Sequence, residues 1–188
     1  MIHPRSNDLL HNSSLPLGLI SIGTYLKHAG HTVKIIDFDQ THLTIDKILK
    51  DFNPDLCGVS VRSSKQVSSA IRISKKIKKY NIPVVWGGAF LAMPTLEHLF
   101  ESQVIDIVSF SEGEATWVDL VNTLEKNGSL KTVKGIAFID NGKIFRTEKR
   151  EFIDLSKVLP CDWTLVDVPA YFQHLYGAKK LVYVYMSK

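Results

Sequence analysis

Two carboxylates, Glu112 and Glu114, flank Gly113 in the segment Ser111-Glu-Gly-Glu-Ala-Thr116, directly after the apolar run Ile105-Asp-Ile-Val-Ser-Phe110. Paired carboxylates can serve general acid–base chemistry, but at a strand-to-helix turn these two need not converge. No histidine or nucleophile is positioned beside them by sequence. Stabilising a helix amino terminus and accepting hydrogen bonds from a ligand are both open to them. A second glycine pair, Gly87-Gly88, ends the run Ile82-Pro-Val-Val-Trp86. Gly87, Gly88 and Gly113 either make tight turns or let backbone amides approach a ligand closely, since they carry no Cβ. Two such loops at successive strand ends point to a shared ligand edge, in the crevice beyond the carboxyl ends of a parallel sheet.

The remaining reactive residue types are scattered. Asp37 and Asp39 close a strand-like run and read as strand-end polar residues rather than metal ligands. His28 and His31, in Lys27-His-Ala-Gly-His31, surround a helix end and read as solvated or capping residues. Cys57 and Cys161 lack metal-ligand spacing and read as a buried thiol and a loop thiol. Lysines between apolar residues in Ser74-Lys-Lys-Ile-Lys-Lys-Tyr80 make a solvated helix face, because no aromatic stacking series accompanies them; nucleic-acid binding is not expected.

The elements that must position these residues alternate strictly. Ser14 caps a helix that begins at Leu15-Pro16-Leu17-Gly18, with Leu19, Ile22, Tyr25 and Leu26 as its apolar stripe and Gly30 as its stop. Val33 to Phe38 is a strand, Leu43 to Phe52 a helix, Leu56 to Val61 a buried strand and Lys65 to Tyr80 a helix. The two glycine-ended strands follow, with helices at about Pro94 to Phe100 and Ala115 to Asn127. This order predicts an α/β fold: a flavodoxin-like or Rossmann-like three-layer sandwich with a mostly parallel sheet. Thr132 to Ile139 and Lys143 to Thr147, joined by Asp140-Asn141-Gly142, form a β-hairpin added to that sandwich. From Glu151 onward, isolated hydrophobics, Pro160, Pro169 and several aromatics read as a linker strapped across a surface.

The chain has 188 residues, 45% hydrophobic and 22% charged, with a formal net charge of +4. These values suit a soluble globular domain with an appendage. No apolar run approaches the roughly 20 residues needed to span a bilayer, and no signal-peptide pattern opens the chain, which points to the cytoplasm.

With those pieces in order, the sequence resembles the amino-terminal cobalamin-binding domain of B12-dependent radical S-adenosylmethionine (SAM) enzymes, a family that includes methyltransferases and the anaerobic magnesium-protoporphyrin monomethyl ester cyclase. The resemblance runs through Leu15-Pro-Leu-Gly-Leu-Ile-Ser-Ile-Gly-Thr-Tyr-Leu26, Ala29-Gly-His-Thr-Val33, Pro54-Asp-Leu-Cys-Gly-Val-Ser-Val61, Val84-Val-Trp-Gly-Gly88 and Ser111-Glu-Gly-Glu-Ala-Thr116. It continues through Gly135-Ile-Ala-Phe138, Asn141-Gly-Lys143, Asp154-Leu155 and Leu159-Pro160. It implies a cobalamin-binding domain over 1–128, a hairpin extension over 129–150, a linker over 151–180, and over 181–188 the first strand of a radical SAM barrel. The C-x3-C-x2-C motif that follows this strand in the family, and holds its 4Fe-4S cluster, is absent. The chain is therefore expected to be a fragment, with SAM and the iron–sulfur cluster belonging to its parent and no catalysis of its own.

The resemblance also implies site residues. Pro16, Leu17 and Gly18 would meet the corrin from the first helix, and Ser60, Val61, Arg62 and Ser63 would lie beside it. Gly87 and Gly88 would let the nucleotide tail pass close to backbone, and Ser111, Glu112, Gly113 and Glu114 would supply acceptors and amides. The D-x-H-x-x-G motif whose histidine ligates cobalt in the methionine-synthase type is missing, so cobalamin is expected base-off with no protein histidine on the metal. Phe90 stands where many relatives have a histidine.

The first strand is the expected weak point, because Met1-Ile-His-Pro offers only the last two residues of one. An unpaired central position would leave many backbone groups unsatisfied. Leu181 to Met186 could fill it, in the same chain or by swapping, and exposed strand edges allow a dimer. The alternative function, supported by that missing strand, is a non-catalytic flavodoxin-like interaction or regulatory domain that has lost its cofactor. Rossmann-type nucleotide binding has little support, since no G-x-G-x-x-G follows a strand.

Overall fold

A computed structural model describes residues 1–5, 15–89, 96–110 and 112–171. Seven strands form one sheet in the order β2-β1-β3-β4-β5-β6-β7. They are β1 (Ile2–His3), β2 (Ile36–Asp37), β3 (Cys57–Ser60), β4 (Val84–Gly87), β5 (Ile107–Ser109), β6 (Ile136–Asp140) and β7 (Lys143–Arg146). The first five pair in parallel and the last two antiparallel, as the strict alternation of strands and helices followed by a hairpin predicts.

The first strand is present, which corrects the expectation of a vacant centre. Ile2 and His3 lie between β2 and β3, with Ile2 in register with both Ile36 and Val59. Ile36 N donates to Met1 O at 2.9 Å and Phe38 N donates to His3 O at 3.0 Å. Two residues suffice because both are almost fully buried, Ile2 paired on both sides and His3 with Asp37. So short a strand has no periodicity of its own, and its neighbours define it. The segment Leu181 to Met186, proposed for that position, lies outside the described residues, as does the Ser14 cap.

Among the described residues five α-helices cover the sheet: α1 (Leu17–His28), α2 (Ile45–Phe52), α3 (Ser64–Lys78), α4 (Leu96–Glu101) and α5 (Gly113–Glu125). Local signals set their ends. Thr44 Oγ1 accepts from Lys47 N at 3.3 Å to open α2, and Asn53, in the left-handed region at φ 45°, closes it. On one face, α2, α3 and α4 bury Ile45, Leu49, Ala70, Ile73, Ile77 and Phe100 against Cys57, Val59, Val84 and Trp86. On the other, α1 and α5 bury Leu26, Trp117 and Leu120 against Val85, Ile107, Ile136 and Phe138. Each fully buried aliphatic or aromatic side chain contributes about 1.5–3 kcal/mol. The hairpin turns on Asn141 and Gly142, both at positive φ, and its strands continue the sheet.

The strap from Glu151 carries single-turn 3-10 helices at Leu155–Lys157, Trp163–Leu165 and Val168–Tyr171. It lies over α1. Asp162 N donates to Thr24 Oγ1 at 2.8 Å, Leu159 N donates to Tyr25 Oη at 3.1 Å, and Lys27 Nζ pairs with the Asp162 carboxylate. Hydrogen bonds from Lys27 and Thr164 hold that carboxyl down to about 2. No helix among the described residues is long and apolar enough to cross a membrane.

Candidate functional site

Alternation along the strands hollows one face of the sheet at its carboxyl edge. On β3, Cys57 and Val59 face α2 and α3, so Gly58 and Ser60 face α1 and α5. On β4, Val84 and Trp86 take the first face and Val85 and Gly87 the second. Ser60 is in register with Gly87, and a Cβ on Gly87 would lie 3.7 Å from Ser109 O. Ser60, Gly87 and Ser109 thus form a row of small residues across three strands. Above that row a cleft of about 540 Å³ opens between α1 and α5, walled by Gly18, Leu19 and Ile22 on one side and by Glu112, Gly113 and Glu114 on the other. Arg62, Ala89, Phe110 and Phe152 stand at its rim, with Phe152 79% exposed.

Several predicted site residues meet here: Gly18, Ser60, Arg62, Gly87, Gly88, Glu112, Gly113 and Glu114 all line the cleft. Pro16, Leu17, Val61 and Ser63 do not. Pro16 is buried at the start of α1, and Leu17 packs with Leu15, Ile20 and Tyr171. The Val61 side chain is fully buried in the opposite core. Ser63 is the residue before α3 and makes no side-chain capping bond. Ser111 and Phe90 lie outside the described residues.

The glycines differ in what demands them. Gly88 has φ +119°, and a Cβ there would lie 2.4 Å from Val61 O, so this loop cannot close over β3 with any other residue. Gly113 lets α5 approach α1, because its Cβ would meet Ile22 Cδ1 at 2.5 Å. Gly87 is under no such pressure, and Gly18 has nothing within 4 Å; both leave open space facing the cleft.

Polar groups around the cleft are only partly satisfied. Ser21 Oγ donates to Glu114 Oε1 at 2.6 Å, tying α1 to the first turn of α5. Burial, and next the Glu114 charge, push the Glu112 carboxyl up. The first-turn amides of α5 have no intrahelical acceptors and lie at the wall that Gly113 forms.

Behind Arg62 lies a buried polar cluster that sequence reasoning missed. Tyr171 Oη donates to Asp37 Oδ2 at 2.9 Å, and Asp39 N donates to Asp37 Oδ1 at 2.9 Å. His3 Nδ1 stands 3.7 Å from Asp37 Oδ2, and Arg62 Nη2 lies 3.3 Å from His3 Nε2. A guanidinium can only donate, so Nε2 accepts and the proton sits on Nδ1, toward Asp37. Burial holds the imidazole below its ordinary value, opposed by Asp37 and reinforced by Arg62. Gln66 braces the loop that carries Arg62, accepting from Arg62 N at 2.9 Å and donating to Pro4 O at 3.2 Å. The strap is therefore pinned to the edge of the sheet by Tyr171, whose hydroxyl is pushed up by burial and by Asp37.

Gly58 and Trp117 were also missed. A Cβ on Gly58 would lie 2.4 Å from Trp117 Cη2, so this mid-strand glycine exists to admit the indole that floors the cleft. A glycine inside a strand pattern is the signal that could have found the pair. The two histidines read from the sequence as solvated or capping residues lie elsewhere: His28 is exposed in the last turn of α1, and His31 Nε2 donates to Asn122 Oδ1 at 2.9 Å. Among the described residues no histidine lines the cleft, and none forms a cluster of three or more His, Cys, Asp or Glu able to hold a metal ion.

A mostly parallel sheet with helices on both faces and a cleft at its carboxyl edge defines a flavodoxin-like domain. Within that class the chain belongs to the B12 binding domain family, which it matches over residues 10–121. It is 33% identical over 150 residues to an uncharacterized methyltransferase of Pyrococcus horikoshii, covering 77% of this chain and 32% of the relative. It is 31% identical over 193 residues to the anaerobic magnesium-protoporphyrin IX monomethyl ester cyclase of Synechocystis sp., covering 99% of this chain and 38% of the relative. The chain thus spans about a third of these relatives. Among solved structures it is similar to the cobalamin-dependent SAM radical enzyme OxsB with aqua-cobalamin and SAM bound, at TM-score 0.73 and 24% identity over 85% of this chain and 23% of that one. The radical SAM methyltransferase TsrM of Kitasatospora setae matches at TM-score 0.66 and 21% identity, over 78% of this chain and 29% of that one. The chain is a B12-binding domain resembling the cobalamin-binding module of B12-dependent radical SAM enzymes.

Proposed function

We propose that this domain holds cobalamin base-off, with the nucleotide arm in the cleft between α1 and α5 and the corrin over the carboxyl edge of the sheet. The observation that carries this is the row Ser60, Gly87 and Ser109, which leaves a slot under an otherwise closed sheet face. A cleft of about 540 Å³ is of ordinary size for a small ligand. A corrin with its peripheral amides is too bulky for such a slot, and a slender nucleotide arm is not. Gly18 and Arg62, both exposed residues that line the cleft, are placed to meet the corrin edge, and Glu112 to accept from its amides. No protein histidine is assigned to cobalt.

When bound, cobalamin supplies cobalt-centred group-transfer chemistry. The domain's part is to hold the corrinoid and present it to a radical SAM barrel in a longer parent protein, which would bring SAM and a 4Fe-4S cluster. The alternative of a domain that lost its cofactor is not favoured, since the central strand on which it rested is in place.

The test is titration of the purified chain with hydroxocobalamin, then gel filtration and an absorbance spectrum of the protein peak. Stoichiometric retention with a base-off spectrum is expected. Retention with a base-on spectrum would overturn the base-off assignment, and no retention would overturn the binding mode as a whole.

A further inference from the structure

The floor of the cleft holds two buried polar groups without a hydrogen-bond partner among the described residues. Trp117 is 4% exposed, yet among the described residues its indole Nε1–H has no acceptor. Its six-membered ring rests on Gly58, while its Cδ1 and Nε1 edge lies toward Gly113 and Gly87, with a Cβ on Gly87 falling 4.0 Å from Nε1. Ser109 is also 4% exposed, lines the same cleft, and its hydroxyl has no partner among the described residues. The Ser109 Cβ lies 3.8 Å from that same Gly87 position. Buried donors are normally paired, and an unpaired one costs free energy that a ligand acceptor recovers. Both groups flank one glycine whose missing side chain leaves the space an acceptor would occupy.

We infer that Trp117 and Ser109 are positioning residues for the nucleotide arm of the corrinoid, donating from Nε1 and Oγ to acceptors that the arm carries inward past Gly87. The inference rests on the cobalamin reading above and adds which part of the ligand these residues hold. The arm offers ribose hydroxyls, phosphate oxygens and, when base-off, a ring nitrogen released from cobalt. The corrin amides remain at the mouth, beyond reach of a floor this deeply buried. Trp117 cannot accept a hydrogen bond, so it selects for an acceptor at this depth.

The experiment is equilibrium titration of the 188-residue chain, and of its W117F and S109A variants, with hydroxocobalamin and with cobinamide, which has the corrin but no nucleotide. Phenylalanine removes the donor, although its shorter ring leaves empty the space over Gly58 that the outer indole atoms fill; alanine at 109 removes one hydroxyl from a strand and keeps the fold. Each variant is expected to bind hydroxocobalamin about threefold to tenfold more weakly, the loss of roughly one hydrogen bond. Cobinamide affinity should stay within about twofold of wild type on the same scale. Unchanged cobalamin affinity in both variants, or equal losses for both corrinoids, would overturn the inference while leaving the cobalamin reading intact. Failure of the wild-type chain to bind hydroxocobalamin would overturn the reading beneath it. If W117F does not fold, S109A decides alone by the same selectivity.

Discussion

Trp86 and Trp117 sit on opposite faces of the same sheet, and the contrast between them describes the molecule. Trp86 is 1% exposed and its Nε1 donates to Ser74 Oγ at 2.9 Å, itself fully buried on α3. That face is a finished core, with its bulk supplied by the strands. On the other face the strands present Gly58 and Gly87, the bulk comes down from α5 as Trp117, and among the described residues its donor has no acceptor. One sequence alternation builds both: Val84-Val85-Trp86-Gly87 sends its largest residue to the closed face and its smallest to the open one. The closed face stabilises the fold; the open face is free to bind.

Truncating each tryptophan should break this contrast most forcefully if it is wrong. W86A removes a fully buried side chain and strands Ser74, costing about 3–5 kcal/mol of stability plus the penalty for an unpaired hydroxyl. W117F should cost about 1 kcal/mol less than W86F, because both leave a cavity but only W86F strands a hydrogen-bond partner. Urea denaturation of W86F beside W117F is the cleaner comparison, and equal losses would mean the two faces do not differ.

Next in size are the glycines. G88A forces a side chain to φ +119° and against the Val61 carbonyl, and G58A drives a methyl group into Trp117. Each should cost about 1–3 kcal/mol by thermal unfolding. G18A should be close to neutral, since nothing stands within 4 Å.

A smaller effect comes from His3. Its folded pKa lies below the ordinary 6.5, so the unfolded chain takes up a proton first as pH falls. The stability it contributes is full above 6.5 and is lost as pH drops through that value toward the folded one. H3Q should flatten that part of the stability–pH curve. A curve unchanged by the substitution would place the acid sensitivity elsewhere.

The smallest test uses the two thiols. Burial pushes both up, but Cys57 lies in the closed core and Cys161 in the half-buried strap. Native-state alkylation should label Cys161 slowly and Cys57 only after unfolding.

Much of this was legible in the residues. The α/β order, the hairpin turn at Asn141-Gly142 and the glycine-ended strands follow from local periodicity and turn chemistry, and eight of the thirteen predicted site residues line the cleft. What was not legible depends on neighbours. β1 is a strand because β2 and β3 flank it, not because Ile2-His3 has a pattern. Val61 follows Ser60 directly, yet strand alternation turns its side chain to the other core, a consequence of register that loop-by-loop transfer overlooks. Gly58 and Trp117 are 59 positions apart, and only the packing of α5 on β3 joins them. The His3, Asp37 and Tyr171 cluster spans the chain from its third residue to the strap, so no spacing rule could reveal it.

The central claim, that the corrinoid's arm enters the face hollowed at Gly87, is tested most directly by equilibrium dialysis of hydroxocobalamin against wild type and G87L. A Cβ at Gly87 makes only ordinary contacts, so the variant should fold while its longer side chain fills the slot. Stoichiometric binding by wild type and loss of binding by folded G87L is the predicted result. Equal binding by both would contradict the account and place the cofactor outside this cleft.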